Sequence, residues 1–438
     1  MKKWVVGIAS GMVVAGSIVP TAMAATASTK AQSSSIVVNN ESVAAPATLQ
    51  QGGSTYVPVW YVMKALKAIG LQSEWTGGDW FLSTTSMFAK PASAGKTVPG
   101  QVTVYLNASK LVTVHTVVAK DPASKHDTTY VQVGDLTAIL QKANVFANWS
   151  NGSYQMQTPT VKTLDTAFQN TQSAAQSQMT GNLTELLHFT MNPQSPSTTS
   201  TVPQDITIQM KMTAETGTVN GQKAALVTIT PQTTAAAGSA LPKSIQEYIQ
   251  GTRVWLNQGQ GWTEQTSSEQ LIQAMQSQMP LNNVNFSVLR NIQSSSTANS
   301  TNYTATLDAN ALAQVLAPMM NSIASTSTQG SAISSTQIAS LLNDILKQTT
   351  GSLQITVQPV NGQDRITGEQ LALDMTLPMS TLIASLGSAA GSASSSSLSS
   401  AKQIQSISIH ETMSATYAYN NTPITVPTGI NTSTTAVK

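Results

Sequence analysis

The sequence contains the stretch TYVPVWYVMKALKAIGLQSEWTGGDWFLST at residues 55–84 and a related stretch, TYVQVGDLTAILQKANVFANWSNGSYQMQT, at residues 129–158. They align without gaps at an offset of 129 − 55 = 74 positions. Identical residues include the opening Thr-Tyr-Val, a Leu in the middle, and the Trp and Gly near the end. A repeat of this kind indicates a duplicated packing unit, because one unit alone cannot bury its sheet face.

Both copies predict the same order of secondary structure. An alternating strand comes first, and apolar residues at helical spacing follow it: Val62, Leu66 and Ile69 in the first copy, and Leu136, Ile139, Leu140 and Ala143 in the second. A strand ending in Trp, a tight turn (TGGD or SNGS) and a return strand then predict a hairpin. With the strand before each copy, residues 33–158 are predicted to form two ββαββ units in one small α+β domain or a close pair.

The strand YVPV, the helix with its Leu, the Trp strand and the turn resemble the copper amine oxidase N-terminal-domain-like module, which bacteria append to secreted and surface proteins. The second copy departs from the pattern with Gln132 in place of Pro58. The resemblance implies a non-catalytic stalk or attachment unit. Amine oxidase activity itself is not expected, because the four His residues are scattered and the Asn302-Tyr303 pair is followed by Thr304 instead of an acid.

The N-terminus, residues 1–24, is predicted to be a secretory signal peptide. Lys2 and Lys3 precede a short apolar run, and Ala22-Met23-Ala24 is typical of a cleavage site. A membrane anchor is the alternative, although the run is shorter than the roughly 20 residues that a span needs. The chain has no Cys, and therefore neither a disulfide framework nor a lipid-attachment Cys. These features predict a secreted bacterial protein that is extracellular or associated with the cell wall.

Charged residues make up only 9% of the chain. Removal of the predicted signal peptide would leave 21 − 2 = 19 basic and 19 acidic residues. No nucleic-acid partner is expected from this balance. A chain with few charges also suffers little self-repulsion in acid, so an acidic extracellular habitat is one hypothesis. A Ser/Thr-rich secreted protein with no special pH is the other.

Residues 160–430 predict a second domain that is rich in antiparallel strands. Residues 159–180 are predicted to be a helix, and the following segment alternates Ile206, Ile208, Met210 and Met212 with polar residues. Asn220-Gly221 predicts a hairpin turn, and Trp255 and Trp262 flank a Gly-rich turn. Helices are predicted within 270–279, 309–323 and 338–346.

The strand KMTAE (211–215), the hairpin YIQGTRVWLNQGQGW (248–262) and the closing Val-Pro stretch resemble the LolA/LppX-type family of secreted lipoprotein-like carriers. The resemblance implies a curved antiparallel half-barrel sheet with helices on its concave side. The whole chain is therefore expected to be α+β, with the small duplicated domain followed by this half-barrel. Members of the family are commonly lipid-anchored, whereas this chain lacks the Cys that such an anchor requires.

The predicted function is that of a non-catalytic cell-surface protein. Its second domain is expected to bind a lipid, another apolar small molecule or a cell-envelope component, with the first domain serving for attachment. The candidate ligand-binding residues are Met210, Met212, Leu373, Met375, Trp255 and Trp262. No catalytic residue, metal site or cofactor is predicted. A structural or adhesive protein is an alternative, and a hydrolase using Asp364 with Glu369 or Asp374 is a less favoured one.

Overall fold

The computed structural model describes residues 32–76, 78–84, 98–191, 205–232, 243–264, 286–312, 349–378, 404–420 and 423–430. Strands hold 63% of these residues and helices 14%, which is compatible with the predicted α+β class and is dominated by β-structure. The predicted signal peptide, the helices within 270–279 and 338–346, and all but the start of the helix within 309–323 lie outside the described residues. The chain divides into two compact units between Asp165 and Thr166.

The first unit consists of twelve strands and two short helices, followed by the start of a third helix. Its elements are β1 (Gln32–Ser33), β2 (Ser35–Val38), β3 (Glu41–Ala44), β4 (Ala47–Gln51), β5 (Ser54–Pro58), α1 (Val59–Ala68), β6 (Gln72–Thr76), β7 (Asp79–Ser83), β8 (Gln101–Leu106), β9 (Ser109–Lys120), β10 (Asp127–Gln132), α2 (Val133–Lys142), β11 (Phe146–Ser150) and β12 (Ser153–Gln157). Helix α3 (Pro159–Gln172) crosses the division.

Pairing in the first unit joins the two halves of the repeat in several places. One sheet has the order β1-β4-β5-β10-β9-β8-β7-β6, and the other has the order β11-β12-β2-β3. The antiparallel pair β5–β10 sets Val57 opposite Val131, its own counterpart at the offset of 131 − 57 = 74. Strand β7 pairs in parallel with β8, and β12 pairs in parallel with β2, so each terminal hairpin pairs with a strand of the other half.

Helices α1 and α2 bury equivalent faces in one apolar core. Leu66 in α1 and Leu140 in α2 have no exposed surface. The two helices also end in the same way, since Gly70 and Asn144 both take positive φ angles of 78° and 60°. The following backbone N–H groups, of Leu71 and Val145, donate to the carbonyls of Leu66 and Leu140, which is the hydrogen bond of a Schellman ending.

The recurring Trp residues of the repeat pack at the edge of this core. Trp75 lies 6.4 Å from Trp80, and Trp149 lies 6.3 Å from Tyr154, with similar tilts of 37° and 39° between the rings. Trp75 and Trp149 are half-buried against core residues. Packing against the core explains why a Trp recurs at this position in both copies, and no role in stacking against a ligand is needed to explain it.

The second unit is built on long strands. Its elements after α3 are β13 (Ser177–Met191), β14 (Asp205–Val219), β15 (Gln222–Pro231), β16 (Ile245–Gln250), β17 (Arg253–Asn257), β18 (Trp262–Glu264), a 3₁₀ turn (Phe286–Val288), β19 (Leu289–Ser296), β20 (Thr301–Leu307), β21 (Thr350–Val360), β22 (Gln363–Pro378) and β23 (Ile404–Ala418). They form one sheet of eleven strands in the order β18-β17-β16-β15-β14-β13-β23-β22-β21-β20-β19.

The predicted helix over 159–180 was wrong for its last eight residues, 173–180. Helix α3 ends at Gln172, and β13, a central strand of the sheet, begins at Ser177. Alternate positions of β13 are buried, from Ser177 through Glu185. Gly181 and Glu185 stand at two of these buried positions, so the strand does not show the apolar alternation that the other strands show.

All pairs in the eleven-stranded sheet are antiparallel, so directly opposed residues share a face. One row across the sheet consists of Met210, Leu183, Met413, Leu371 and Leu353. We call the face that carries this row the apolar face. The opposite face carries mostly amide and hydroxyl side chains, and we call it the polar face.

Candidate functional site

Four of the six candidate ligand-binding residues lie on the apolar face. Met210 and Met212 are half-buried on β14, whereas Leu373 and Met375 on β22 are 0% and 5% exposed. Met212 lies opposite Gly181 of β13, and Met375 lies opposite Ile409 of β23. The sheet therefore brings these four residues to one continuous apolar surface.

The two Trp candidates lie on the other face. Trp255 lies opposite Tyr248 of β16, which lies opposite Leu226 of β15. Leu226 in turn lies opposite Glu215 of β14, which is on the polar face. Trp255 is 4% exposed, and its ring centroid lies 5.6 Å from that of Tyr248. The Arg253 guanidinium lies 4.5 Å from the centroid of the Trp255 ring. Trp255 does not share a surface with the methionines.

The chain's closing segment covers this aromatic cluster. Ile424 is buried in it, and Val426, Ile430 and Trp262 pack against it. Backbone of the segment comes close as well, since a Cβ added at Gly429 would lie 3.9 Å from the Trp262 ring. Both Trp candidates thus contribute to a packed cluster between the sheet and the segment at 423–430.

The apolar face is buried at one end and partly exposed at the other. Near α3, Tyr303, Ile355 and Tyr417 are between 1% and 8% exposed. Phe168 of α3 packs edge-on against Phe286 at 5.8 Å, and Thr171 accepts a hydrogen bond from the Ile366 N–H. Toward the other end most apolar side chains on this face are half-buried or exposed, although Met375 is buried. The half-buried or exposed ones are Ile206, Ile208, Met210, Leu187, Phe189, Ile407, Ile409 and Leu377. We call this set the open end; Ile206 is 37% exposed there.

Two buried carboxyl groups face each other on the apolar face, next to the open end. Glu185 of β13 lies opposite Glu411 of β23, and they are 4% and 5% exposed. Burial raises the pKa of Glu185. Burial and the neighbouring Glu185 charge raise the pKa of Glu411 to about 7. Glu185 is two residues from Leu183 and Glu411 is two residues from Met413, so the alternation within each strand places both carboxyl groups on the apolar face. We did not predict these two residues from the sequence.

A third buried carboxyl group lies on the apolar face, on β22. Glu369 is 2% exposed, and its Oε2 accepts a 2.7 Å hydrogen bond from the Tyr417 hydroxyl. Its Oε1 has no hydrogen-bond partner among the described residues. Burial raises its pKa to about 7, although the bond from Tyr417 acts in the opposite direction. Tyr419 donates to the Ile366 carbonyl nearby, and the Arg365 guanidinium lies 5.1 Å from the Tyr419 ring centroid.

The register separates the carboxylates that were considered for a hydrolase. Glu369 lies on the apolar face, whereas Asp374 lies on the polar face, where its Oδ1 is 2.6 Å from His410 Nδ1. Asp364 lies opposite Pro359 near the β21–β22 turn. Within the described ranges there is no group of three or more His, Cys, Asp or Glu residues that could hold a metal ion. None of the helices described here has the length and apolar character needed to cross a bilayer.

No protein-family model matches the chain, and no curated protein matches it.

Proposed function

We propose that the protein is an exported, non-catalytic bacterial cell-surface protein whose second unit binds an apolar ligand at the open end of the apolar face. The observation that supports this proposal is the cluster of half-buried Ile, Leu, Met and Phe side chains on four neighbouring strands, β14, β13, β23 and β22. Contiguous apolar surface of this kind marks a binding site more often than single exposed residues do.

Methionine at this end suits ligands of varied shape. Met210 has an unbranched, polarisable side chain that adapts to its contacts, and Met212 follows it on the same face of β14, outside the open end. Each Å² of apolar surface that a ligand removes from water contributes about 25 cal/mol. A ligand that covers a few such side chains therefore gains enough free energy to bind without any charged contact, which agrees with a chain of so few charges.

The proposal includes two details of the fold. We infer that the eleven-stranded sheet curves into a half-barrel around its apolar face, as the resemblance to LolA/LppX-type carriers implies. We also infer that residues 33–158 are a duplicated ββαββ domain serving as a stalk or wall-attachment module. The pairing of Val57 with Val131, and of each terminal hairpin with the other half, supports the duplication. The N-terminal sequence supports export.

Binding of an apolar fluorescent probe tests the proposed site. Met210→Glu places a charge on the apolar face and is expected to weaken probe binding by about tenfold or more, because the charge must be desolvated when the probe covers it. Titration of 1-anilinonaphthalene-8-sulfonate with the full-length protein measures this.

Thr207→Glu is the matched control, since Thr207 is exposed on the same strand but on the polar face. It introduces the same charge and is expected to leave probe binding unchanged. Equal affinities for the wild type and both variants, with unchanged thermal unfolding, would contradict a site at the open end.

A further inference from the structure

The polar face carries a straight row of neutral hydrogen-bonding side chains, one from each of six neighbouring strands. The row consists of Asn182, Ser414, Gln370, Gln354, Thr304 and Gln293, each directly opposite the next. All six side chains are exposed. Within the described part of the chain, none of them donates or accepts a side-chain hydrogen bond, so their donors and acceptors face outward without internal partners.

Two further rows flank this middle row. On one side lie Thr180, Thr416, Gly368, Thr356 and Asn302, and on the other side lie Thr184, Thr412, Ala372, Ser352 and Thr306. From β13 to β20, these described positions contain no charged side chain. The surface of a soluble protein usually carries interspersed Lys, Arg, Glu and Asp, so an uncharged block of amides and hydroxyls this wide is unusual.

Small residues beside Gln370 open a groove in the polar face. A cavity of about 610 Å³ is lined by Gly368 and Thr356, among others, and a second cavity of about 260 Å³ is lined by Ala372 and Ser352. The two cavities adjoin, because Gln354, Gln370 and Ser414 of the middle row line both. A Cβ added at Gly368 would meet Thr356 at 3.5 Å, an ordinary contact, so the missing side chain leaves real space there.

We propose that this groove binds a neutral, extended β-linked glycan chain lying across the strands along the middle row. An uncharged polymer with many hydroxyl groups matches a floor that offers both donors and acceptors and no net charge. Gln and Asn supply a donor and an acceptor each, and Ser and Thr hydroxyls can act as either. The site lies on the face opposite the proposed apolar site and does not depend on it.

The spacing of the row fits this class of ligand. Neighbouring strands lie about 4.8 Å apart, close to the rise of one sugar unit in an extended β-linked chain, so successive sugars would meet successive strands. Six strands span about 24 Å, which is five such steps. A helical α-linked glycan has no comparable straight repeat and is not expected to follow the row.

Pull-down of the full-length protein with insoluble polysaccharides tests the proposal, using cellulose and chitin as extended neutral chains and amylose as the α-linked comparison. Retention on cellulose or chitin is expected to persist between low salt and about 1 M NaCl, because no ion pairs contribute to it. The double variant Gln354→Ala/Gln370→Ala removes two groups from the middle row, and Gly368→Val fills the larger cavity. Each is expected to weaken retention about tenfold.

Gln155→Ala is the matched control, since Gln155 is an exposed strand residue of the first unit. It should leave retention unchanged, and thermal unfolding of all variants verifies that the fold is retained. Failure to bind either extended glycan, equal binding of amylose, or retention that the groove variants do not change would overturn the proposal. Doubling of the mass in solution that the groove variants abolish would also overturn it, because a second copy would then occupy the groove.

Discussion

Lowering the pH from about 8 to about 5 is expected to stabilise the folded protein by several kcal/mol. The reason is the set of carboxyl groups buried on the apolar face. Burial raises the pKa of Glu369 to about 7, and burial together with Glu185 raises the pKa of Glu411 to about 7. Burial raises the pKa of Glu185 as well, and it raises the pKa of Glu247, which is half-buried on β16.

The direction follows from proton binding. Between the ordinary Glu pKa of 4.5 and the folded value of about 7, the folded state binds more protons than the unfolded state. The free energy of unfolding therefore falls as the pH rises through this window and levels off above it. For a carboxyl group whose pKa is 4.5 in the unfolded state and about 7 in the folded state, the free energy of unfolding falls by about 3 kcal/mol across this window. Glu369 and Glu411 together give the expected change of several kcal/mol.

Groups with a lowered pKa act in a different range. The Arg253 guanidinium lowers the pKa of Glu264 through its hydrogen bonds, and the pKa of Asp121 is lowered because hydrogen bonds from Ser124, Ala123 and Tyr61 outweigh its burial. Their stabilising contribution is present above their unfolded pKa values of about 4 and is lost in stronger acid. They do not offset the gain expected between pH 8 and pH 5.

Thermal unfolding across this pH range measures the effect. Glu369→Gln and Glu411→Gln are expected to raise Tm at pH 8 and to reduce its dependence on pH, because the amide is neutral at every pH. Gln can also accept the hydrogen bond from Tyr417 at position 369. Glu41→Gln, a change at an exposed position of the first unit, is the control and should leave the profile unchanged. A Tm that rises from pH 5 to pH 8 in the wild type would contradict this account and the hypothesis of an acidic habitat.

Gly181→Ala is expected to destabilise the second unit by about 3 kcal/mol or more. Gly181 is an interior residue of β13, and a Cβ there would come within 2.6 Å of the Ser414 backbone carbonyl and 3.3 Å of the Met179 sulfur. A carbonyl oxygen in a sheet cannot move away as the end of a long side chain can, so β13 and β23 would have to separate locally. Both strands are central in the sheet.

Gly217→Ala on the neighbouring strand β14 is the matched control. There a Cβ would meet Ile424 at 3.4 Å and Gln176 at 3.5 Å, which are ordinary contacts. Because Ala restricts the unfolded chain more than Gly does, this variant is expected to be neutral or more stable by about 0.5 kcal/mol. Urea unfolding of both variants gives the comparison, and equal midpoints for the two would show that the contact at Gly181 has no energetic consequence.

Local sequence patterns were sufficient to predict many helices, strands and turns, but not to predict which strands pair with each other. The Asn-Gly turn at Asn220-Gly221 and the helix stripes of the repeat depend on residues close in sequence, and the structure has these elements. Which strands pair across the repeat depends on contacts between distant residues. The parallel pairing of β7 with β8 and of β12 with β2 could not be read from the alternation within each strand.

The face on which a side chain lies could not be predicted where it depends on the register of several strands. Trp255 and Trp262 were named beside the methionines as candidate ligand-binding residues without a face being assigned to them, and the registers from β14 to β18 place them on the polar face. Within each strand the side chains alternate between the two faces as expected. Only the turns determine which of the two sets in one strand shares a face with a given set in the next strand. Glu185 and Glu411 were missed for a different reason, because the sequence of one strand does not distinguish a carboxyl group that is buried from one that is exposed.

Native mass spectrometry of the full-length protein purified from its own host tests the central proposal most directly. If the apolar face binds an apolar ligand, the spectrum will contain a species heavier than the polypeptide by the mass of a lipid or similar molecule. Organic extraction will remove that mass, and Met210→Glu will reduce its abundance while Thr207→Glu will not. A single mass equal to that of the bare polypeptide, in protein that remains folded, would contradict ligand binding and favour a purely structural surface protein.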